Sequence, residues 1–347
     1  MTSFASDNYA GVPQEVLDAL AAANAGDAVS YGDDEWTARA DARFREHFGD
    51  QARAWYVTTG TAANVLALKA VCRPWEAVIT PATSHVNVDE CAAPEHMGGL
   101  KLLTVPTTDG KLTPADVVAQ LGRVGDQHAA QPRVVSVAQS TELGTVYTVA
   151  ELRALADAAH EHGLLLHVDG ARLSNAAATL GAELRAITTD AGADVLSFGG
   201  TKAGLMGAEA VVFLRDGVGE GFQYLRKQHA QLVSKMRFLA AQLDALLGDG
   251  LWRRSAEHAN AMARRLAAGV ADVEEVQLTQ PVQANAVFAI LPREATERLQ
   301  REHRFYVWNE ETGEVRWMCS WDTRAEDVDA FAADVRAVMS VPPARPS

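Results

Sequence analysis

Short, continuously apolar runs alternate with helix-length amphipathic stretches along most of the chain. The runs AWYVTT, EAVITP, KLLTVP, RVVSVAQ, LLLHVD, DVLSFG and EAVVFL are rich in Val, Ile and Leu, and most are separated by segments such as GTAANVLALKAV and VAELRALADAAHEHG. Strands of this kind are buried on both faces, as in a parallel sheet covered by helices. The expected fold is therefore α/β, with a mostly parallel sheet of about seven strands. Ahead of the sheet, Pro13 opens a helix through Val16, Leu17 and Leu20 with Gly26 as its stop, and a second helix over 37–48 ends at Gly49.

From Phe222 to Ala268 the pattern turns helical, with Leu232, Met236, Leu239 and Leu243 spaced by three and four. VEEVQLTQ, NAVFAIL, RFYVWN and EVRWMCSW then read as strands, followed by a helix from Ala325 to Met339. The expected organisation is a large domain over 1–250, including an amino-terminal arm, and a smaller α/β domain over 251–347. At roughly 150 residues per domain, 347 residues fit two. The tail VPPARPS has the composition of a disordered end.

Charge narrows the range of partners. Forty-five acidic against 31 basic residues give a formal charge of −14, which repels nucleic acid and anionic membrane while leaving room for a local pocket that takes a small phosphate. Cys72, Cys91 and Cys319 are odd in number and widely spaced, so neither a disulfide framework nor a CxxC metal site is expected, and a reducing compartment is. The start MTSFASDNYAG lacks a signal-peptide pattern, and no run approaches the ~18 apolar residues of a membrane span. A soluble cytoplasmic protein is the expectation.

Lysine is scarce, confined to Lys69, Lys101, Lys111, Lys202, Lys227 and Lys235. Five of these read as solvated cations. Lys202 differs: it follows DVLSF inside the glycine-rich turn GGTKAGLMG. A lysine partly withdrawn from water loses proton affinity and becomes an amine nucleophile for Schiff-base chemistry, the alternative being an ordinary turn lysine. Asp169 ends the strand LLLHVD, where a carboxylate is costly unless paired, functional or capping the next helix. Ligands of open α/β sheets sit at the carboxyl ends of strands, so Asp169 and Lys202 can face one crevice, with Arg172 either beside them or on the surface. Gly60 and Thr61 begin a helix whose free N–H groups suit a phosphate, or Thr61 is simply a cap. His85 is a polar loop residue or a ring that stacks on a cofactor, with Glu90 nearby or on a helix face. His160 and His162 read as structural. No dinucleotide or P-loop fingerprint is present, and no HExxH cluster supports a metal.

Taken together, SDNYAG, SYGDDEWT, TTGTAAN, TSHVNVDE, LLLHVDGARL and SFGGTKAG resemble the low-specificity L-threonine aldolase family, pyridoxal-phosphate enzymes of the aspartate-aminotransferase fold. The resemblance runs from Ser6 to Trp321. It implies that Lys202 carries pyridoxal 5'-phosphate as a Schiff base, that Asp169 holds the pyridine nitrogen protonated, and that Gly60 and Thr61 bind the phosphate. His85 matches the ring-stacking histidine, also a candidate for proton transfer. Ser6, Arg172 and Arg316 match residues that bind the substrate carboxylate, His128 a histidine near the substrate hydroxyl, and Tyr31 an active-site tyrosine. Lys235 and Arg237 fall where the family reaches a neighbouring subunit's cofactor, although QLVSKMRFLAAQ departs from the usual GGGMRQ. SVAQ stands where the family has SLEN, which leaves the role of Gln139 open.

The implied reaction is retro-aldol cleavage of a β-hydroxy-α-amino acid to glycine and an aldehyde by a homo-oligomer, with His85 or a bound water as base. The departures point toward a branch that takes other β-substituents, bulky or aromatic ones included. A phenylserine-type aldolase, β-elimination or transamination on the same scaffold are the alternatives. More distant ones are a non-catalytic cofactor-binding protein and a nucleotide-dependent dehydrogenase.

Overall fold

The computed structural model describes Thr2 to Ser340; the VPPARPS tail lies outside the described residues. β1 (Thr2–Ser3) is a short amino-terminal strand. The large sheet takes β2 (Arg53–Val57), β3 (Glu76–Pro81), β4 (Lys101–Val105), β5 (Gln131–Ala138), β6 (Leu165–Gly170), β7 (Val195–Gly199) and β8 (Glu209–Phe213). The carboxyl-terminal part adds β9 (Gln277–Leu278), β10 (Ala286–Ile290), β11 (His303–Arg304), β12 (Tyr306–Asn309) and β13 (Glu314–Met318).

The seven strands of the large sheet run in the order β2-β8-β7-β6-β5-β3-β4, and each corresponds to one of the seven apolar runs. The pairs β7–β6, β6–β5, β5–β3 and β3–β4 are parallel, whereas β8 is antiparallel to both β7 and β2. That reversal is permitted because the chain returns from β7 to β8 through a tight glycine-rich turn rather than a helix, and only antiparallel neighbours can be joined so briefly. Burial follows the pattern: β6 and β8 are buried along their whole length.

Helices cover both faces. The helix Glu35–Phe48 is capped by Asp34, whose carboxylate accepts from the Thr37 N–H at 2.9 Å, and it ends on Gly49 at φ +104°. Gly60–Val71 and Val149–Glu161 fill the helix-length segments between strands, the latter opened by a reciprocal Thr148/Glu151 capping box. The first helix runs Gln14–Ala23 and stops short of Gly26. The stretch from Phe222 is not one helix but three, Phe222–Gln228, Arg237–Leu247 and Leu251–Val270. The chain breaks at Ala230, which adopts φ 59°, so the Leu232–Met236 spacing belongs to a turn and only the later positions share a helix face. Arg293–Leu299 is a helix that the strand-like pattern around it conceals.

The small sheet has the order β12-β13-β10-β9, all antiparallel. Its core contains Phe305, Trp317 and Phe331 together with Phe4 from the far end of the chain. The amino-terminal segment is fixed there: β1 pairs with β11, and the Met318 N–H donates to the Phe4 carbonyl at 2.8 Å. Phe331 stacks on Phe4 with centroids 4.7 Å apart and meets Trp317 edge-on at 5.2 Å. Phe331→Ala removes this hub and leaves a cavity. It is expected to cost about 3–5 kcal/mol, read as a lowered urea midpoint, with only a minor change expected if the ring packs loosely.

Candidate active site

The carboxyl ends of β5, β6 and β7 open into a cavity of about 350 Å³ whose wall includes Asn64, His85, Glu142, Asp169, Arg172 and Lys202. Lys202 lies on a single helical turn, Thr201–Ala203, directly after β7. Glycine is required on the approach: a Cβ at Gly199 would sit 2.5 Å from the Ala171 Cα, and one at Gly200 would strike the Ala208 carbonyl. These contacts press the Lys202 turn against the start of the next helix, so two successive strand ends deliver Lys202 and Asp169 to one space. Burial and the Arg172 charge lower the Lys202 pKa, which favours a neutral amine.

Asp169 is buried, and burial alone would protonate it. The charges of His85 and Lys202, and hydrogen bonds from Ala171 and Asn64, outweigh that and hold its pKa below the usual range. The Ala171 N–H donates to Oδ1 at 2.9 Å and the Asn64 amide to Oδ2 at 2.7 Å, so Asp169 both caps the following turn and presents an anion to the cavity. The same Asn64 amide nitrogen donates to Glu90 Oε1 at 2.8 Å, and Glu90 Oε1 bonds His85 Nδ1 at 2.8 Å. This hydrogen bond to Glu90, opposed by burial and helped by Asp169, raises the His85 pKa. Deeper in the sheet, His167 lies between Ser136 and Ser197 with its pKa pushed down to about 4 by burial.

Opposite the cavity floor an adjoining hollow of about 640 Å³ includes Ser6, Asn8, Arg172, Lys202, Trp308 and Arg316. Arg172 forks onto Asp7, Nε to Oδ2 at 2.7 Å and Nη2 to Oδ1 at 3.0 Å. Arg316 donates from Nη2 to the Ala5 carbonyl at 3.2 Å and lies over the Trp308 ring at 4.6 Å, while its buried Nε has no partner among the described residues. Burial and the nearby Arg172 lower its pKa to about 10. Two desolvated guanidinium groups, one with an unsatisfied donor, have the chemistry to take a carboxylate.

Of the residues singled out in the sequence, Lys202, Asp169, His85, Gly60, Thr61 and Arg172 gather around the cavity, and Ser6 and Arg316 line the hollow beside it. The others lie elsewhere. His128 is in an exposed turn just before β5, its N–H bonded to Asp126. That turn is at the amino end of β5 whereas the cavity is at the carboxyl end; eight residues of strand, ~25 Å, separate them, so on this chain His128 is not near the cavity. Tyr31 is exposed at φ 66°, its N–H bonded to the Ser234 carbonyl and its ring against Lys227. Lys235 is exposed, and Arg237 donates to the Gly26 carbonyl. None of these three lines the cavity of its own chain. Gln139 is structural: its buried amide pairs both ways with the Tyr147 backbone.

The sequence reading passed over Asn64, Asp7 and Glu142. Asn64 could have been found as the one polar side chain that interrupts the apolar face of GTAANVLALKAV. Asp7 adjoins Ser6 but gives no signal of its own.

A seven-stranded, mostly parallel sheet with a buried lysine and a buried aspartate at adjacent strand ends defines a fold-type I pyridoxal-phosphate scaffold. Comparison with known proteins agrees and narrows it: the family described as Beta-eliminating lyase matches residues 3–293, and the chain belongs to that family of lyases. It is 49% identical over 338 residues to a low specificity L-threonine aldolase of Pseudomonas aeruginosa, covering 97% of each chain. Identity to the enzyme of the same name from a Pseudomonas sp. is 47%, over 97% of this chain and 98% of that one. A solved threonine aldolase from Leishmania major superposes with a TM-score of 0.93 at 31% identity, covering 98% of this chain and 100% of that one.

The His85 titration tests the hydrogen-bond chain directly. Glu90→Gln removes the carboxylate that holds the imidazolium, so the His85 midpoint followed by NMR should fall; an unchanged midpoint assigns the shift to Asp169 instead.

Proposed function

We propose that the chain is a pyridoxal-phosphate-dependent aldolase that cleaves L-threonine, L-allo-threonine or related β-hydroxy-α-amino acids to glycine and an aldehyde. The observation that carries this reading is the placement of a buried lysine amine, its pKa lowered by burial, and a buried carboxylate in one cavity, beside two desolvated guanidinium groups. The residues present fit the cofactor. Lys202 offers an amine for its aldehyde, Asp169 an anion for its ring nitrogen, and Gly60 and Thr61 the unpaired N–H groups of a helix start for its phosphate. Space is also available, since a Cβ at Gly60 would meet nothing within 4 Å. His85, tied to Glu90, is placed to cover the ring. When bound, pyridoxal phosphate supplies a conjugated, protonated ring that accepts the electron pair of the bond being broken.

The chain's own residues do the rest. Arg316 offers its unpartnered Nε to the substrate carboxylate, with Arg172 and Ser6 completing the clamp. Asp7 keeps Arg172 charged and fixed while it waits. Asp169, ionised by its neighbours, holds a proton on the ring nitrogen. Burial of these groups strengthens each charge–charge contact, because little water screens it. Tyr31, Lys235 and Arg237, none of which lines the cavity of its own chain, serve a neighbouring subunit's site in a homo-oligomer, a dimer or tetramer. The large unit over 1–250 and the small one over 251–347 then enclose the substrate between Arg172 and Arg316. The cytoplasm is the compartment proposed. Among the described residues no helix is long and apolar enough to cross a membrane.

The family description favours β-elimination as the second reading. A panel of threonine, allo-threonine and phenylserine separates the two: glycine with aldehyde supports the aldolase, ammonia with a keto acid the elimination. Lys202→Ala should abolish the visible absorbance of the lysine-linked cofactor together with turnover; absorbance retained in that variant removes the assignment. Arg316→Ala should raise KM for the amino acid about 10–100-fold with a smaller effect on kcat, and an unchanged KM moves the clamp elsewhere.

A further inference from the structure

Glu142 lies in the loop after β5 and lines both the enclosed cavity and the adjoining hollow, so it stands where the two meet. One of its oxygens is anchored: the His85 N–H donates to Oε1 at 2.7 Å. The other, Oε2, is shielded from solvent and has no partner among the described residues. A buried carboxylate oxygen without a donor is expensive to keep, and at a cavity wall it is open to a partner that arrives with the ligand. The imidazole of His85 is tied through Nδ1 to Glu90, which fixes the ring and favours its charged form. Lys202 is reserved for the cofactor, and Asp169 already accepts from Ala171 and Asn64. Of the carboxylates that line this cavity, Asp169, Glu142 and Glu209, Glu142 is the one with a buried oxygen that lacks a partner among the described residues.

We infer that Glu142 is the catalytic base of the proposed aldolase reaction, its Oε2 taking the proton of the substrate's β-hydroxyl. This rests on the aldolase reading. In the step, the hydroxyl O–H bond breaks and its proton forms a bond to Oε2. The pair left on oxygen becomes the second bond of the aldehyde C=O, the Cα–Cβ bond breaks, and its pair stays with Cα. Cα then takes a proton from water to become the methylene of glycine, and Glu142 returns its own proton to the hydroxide left, so atoms and charge balance.

The charged surroundings suit the task. Burial and the Asp169 charge raise the Glu142 pKa to about 7, while the His85 N–H and the His85 charge pull the other way. Arg172, at the start of the helix that follows β6, and the buried Tyr147 interact with it electrostatically. A base poised near neutral combines a useful ionised fraction with proton affinity. The sign is fixed: Glu142 must be ionised to act, so turnover is lost as pH falls through about 7.

Glu142→Gln keeps the shape and an amide oxygen for the His85 N–H but cannot take the proton. The cofactor-loaded variant should show the wild-type visible spectrum and bind glycine normally. Its kcat should drop roughly 10²–10⁴-fold and the acidic limb of its pH profile should vanish, while Glu142→Asp should retain that limb. Independently of turnover, infrared difference spectra of wild type minus Glu142→Gln should contain a carboxyl that titrates near pH 7. A titration near the ordinary glutamate value, or a Glu142→Gln enzyme with its acidic limb intact, overturns the inference and leaves the aldolase reading standing. A wild-type enzyme that releases no aldehyde from threonine, allo-threonine or phenylserine overturns that reading and the inference with it.

Discussion

Much of the site hangs on the buried ion pair between Asp7 and Arg172, in which Asp7 is almost wholly enclosed and Arg172 nearly so. Removing one partner of such a pair costs about 3–5 kcal/mol, because the other charge is left in a poorly solvating place. Its importance here is geometric. Asp7 belongs to a segment whose Phe4 is part of the small core, and Asn285, next to β10, donates to Asp7 Oδ2 at 3.1 Å. Arg172 opens the helix that follows β6 in the large sheet. Two residues upstream of Asp7, the Ala5 carbonyl accepts from Arg316. The segment Ala5–Asp7 therefore orients both guanidinium groups beside the cavity, one from each sheet.

The chain's surplus of acid does not carry into this region. A formal charge of −14 coexists with a cavity edge where Lys202, His85, Arg172 and Arg316 converge. A small anionic group can meet favourable charges locally inside a molecule whose overall charge repels large polyanions.

The sheet was legible because strands buried on both faces leave an unmistakable signature of continuous Val, Ile and Leu; all seven runs became strands. The helix Ala325–Met339 was equally plain. The turn at 229–236 was not, because its apolar spacing matches a helix and only the backbone reversal at Ala230 reveals the break. At the site, Lys202 and Asp169 announced themselves as charges at strand ends. Arg172 was a candidate from its place three residues after Asp169, Arg316 and Ser6 needed family resemblance, and His128 shows its limit: a matching residue type sits at the wrong end of its strand. Asn64 and Glu142 act through partners distant in sequence, Asp169 across 105 residues in one case and His85 across 57 in the other, and no local pattern encodes such pairings.

The twenty-residue helix Leu251–Val270 contributes Leu251 and Trp252 to the large core and Ala263, Leu266 and Val270 to the small one. A rigid rod rooted in two hydrophobic interiors binds their fates together. Neither interior can dissolve without stripping the rod from the other, so heat should melt the whole chain in a single step, with no half-folded species accumulating on the way.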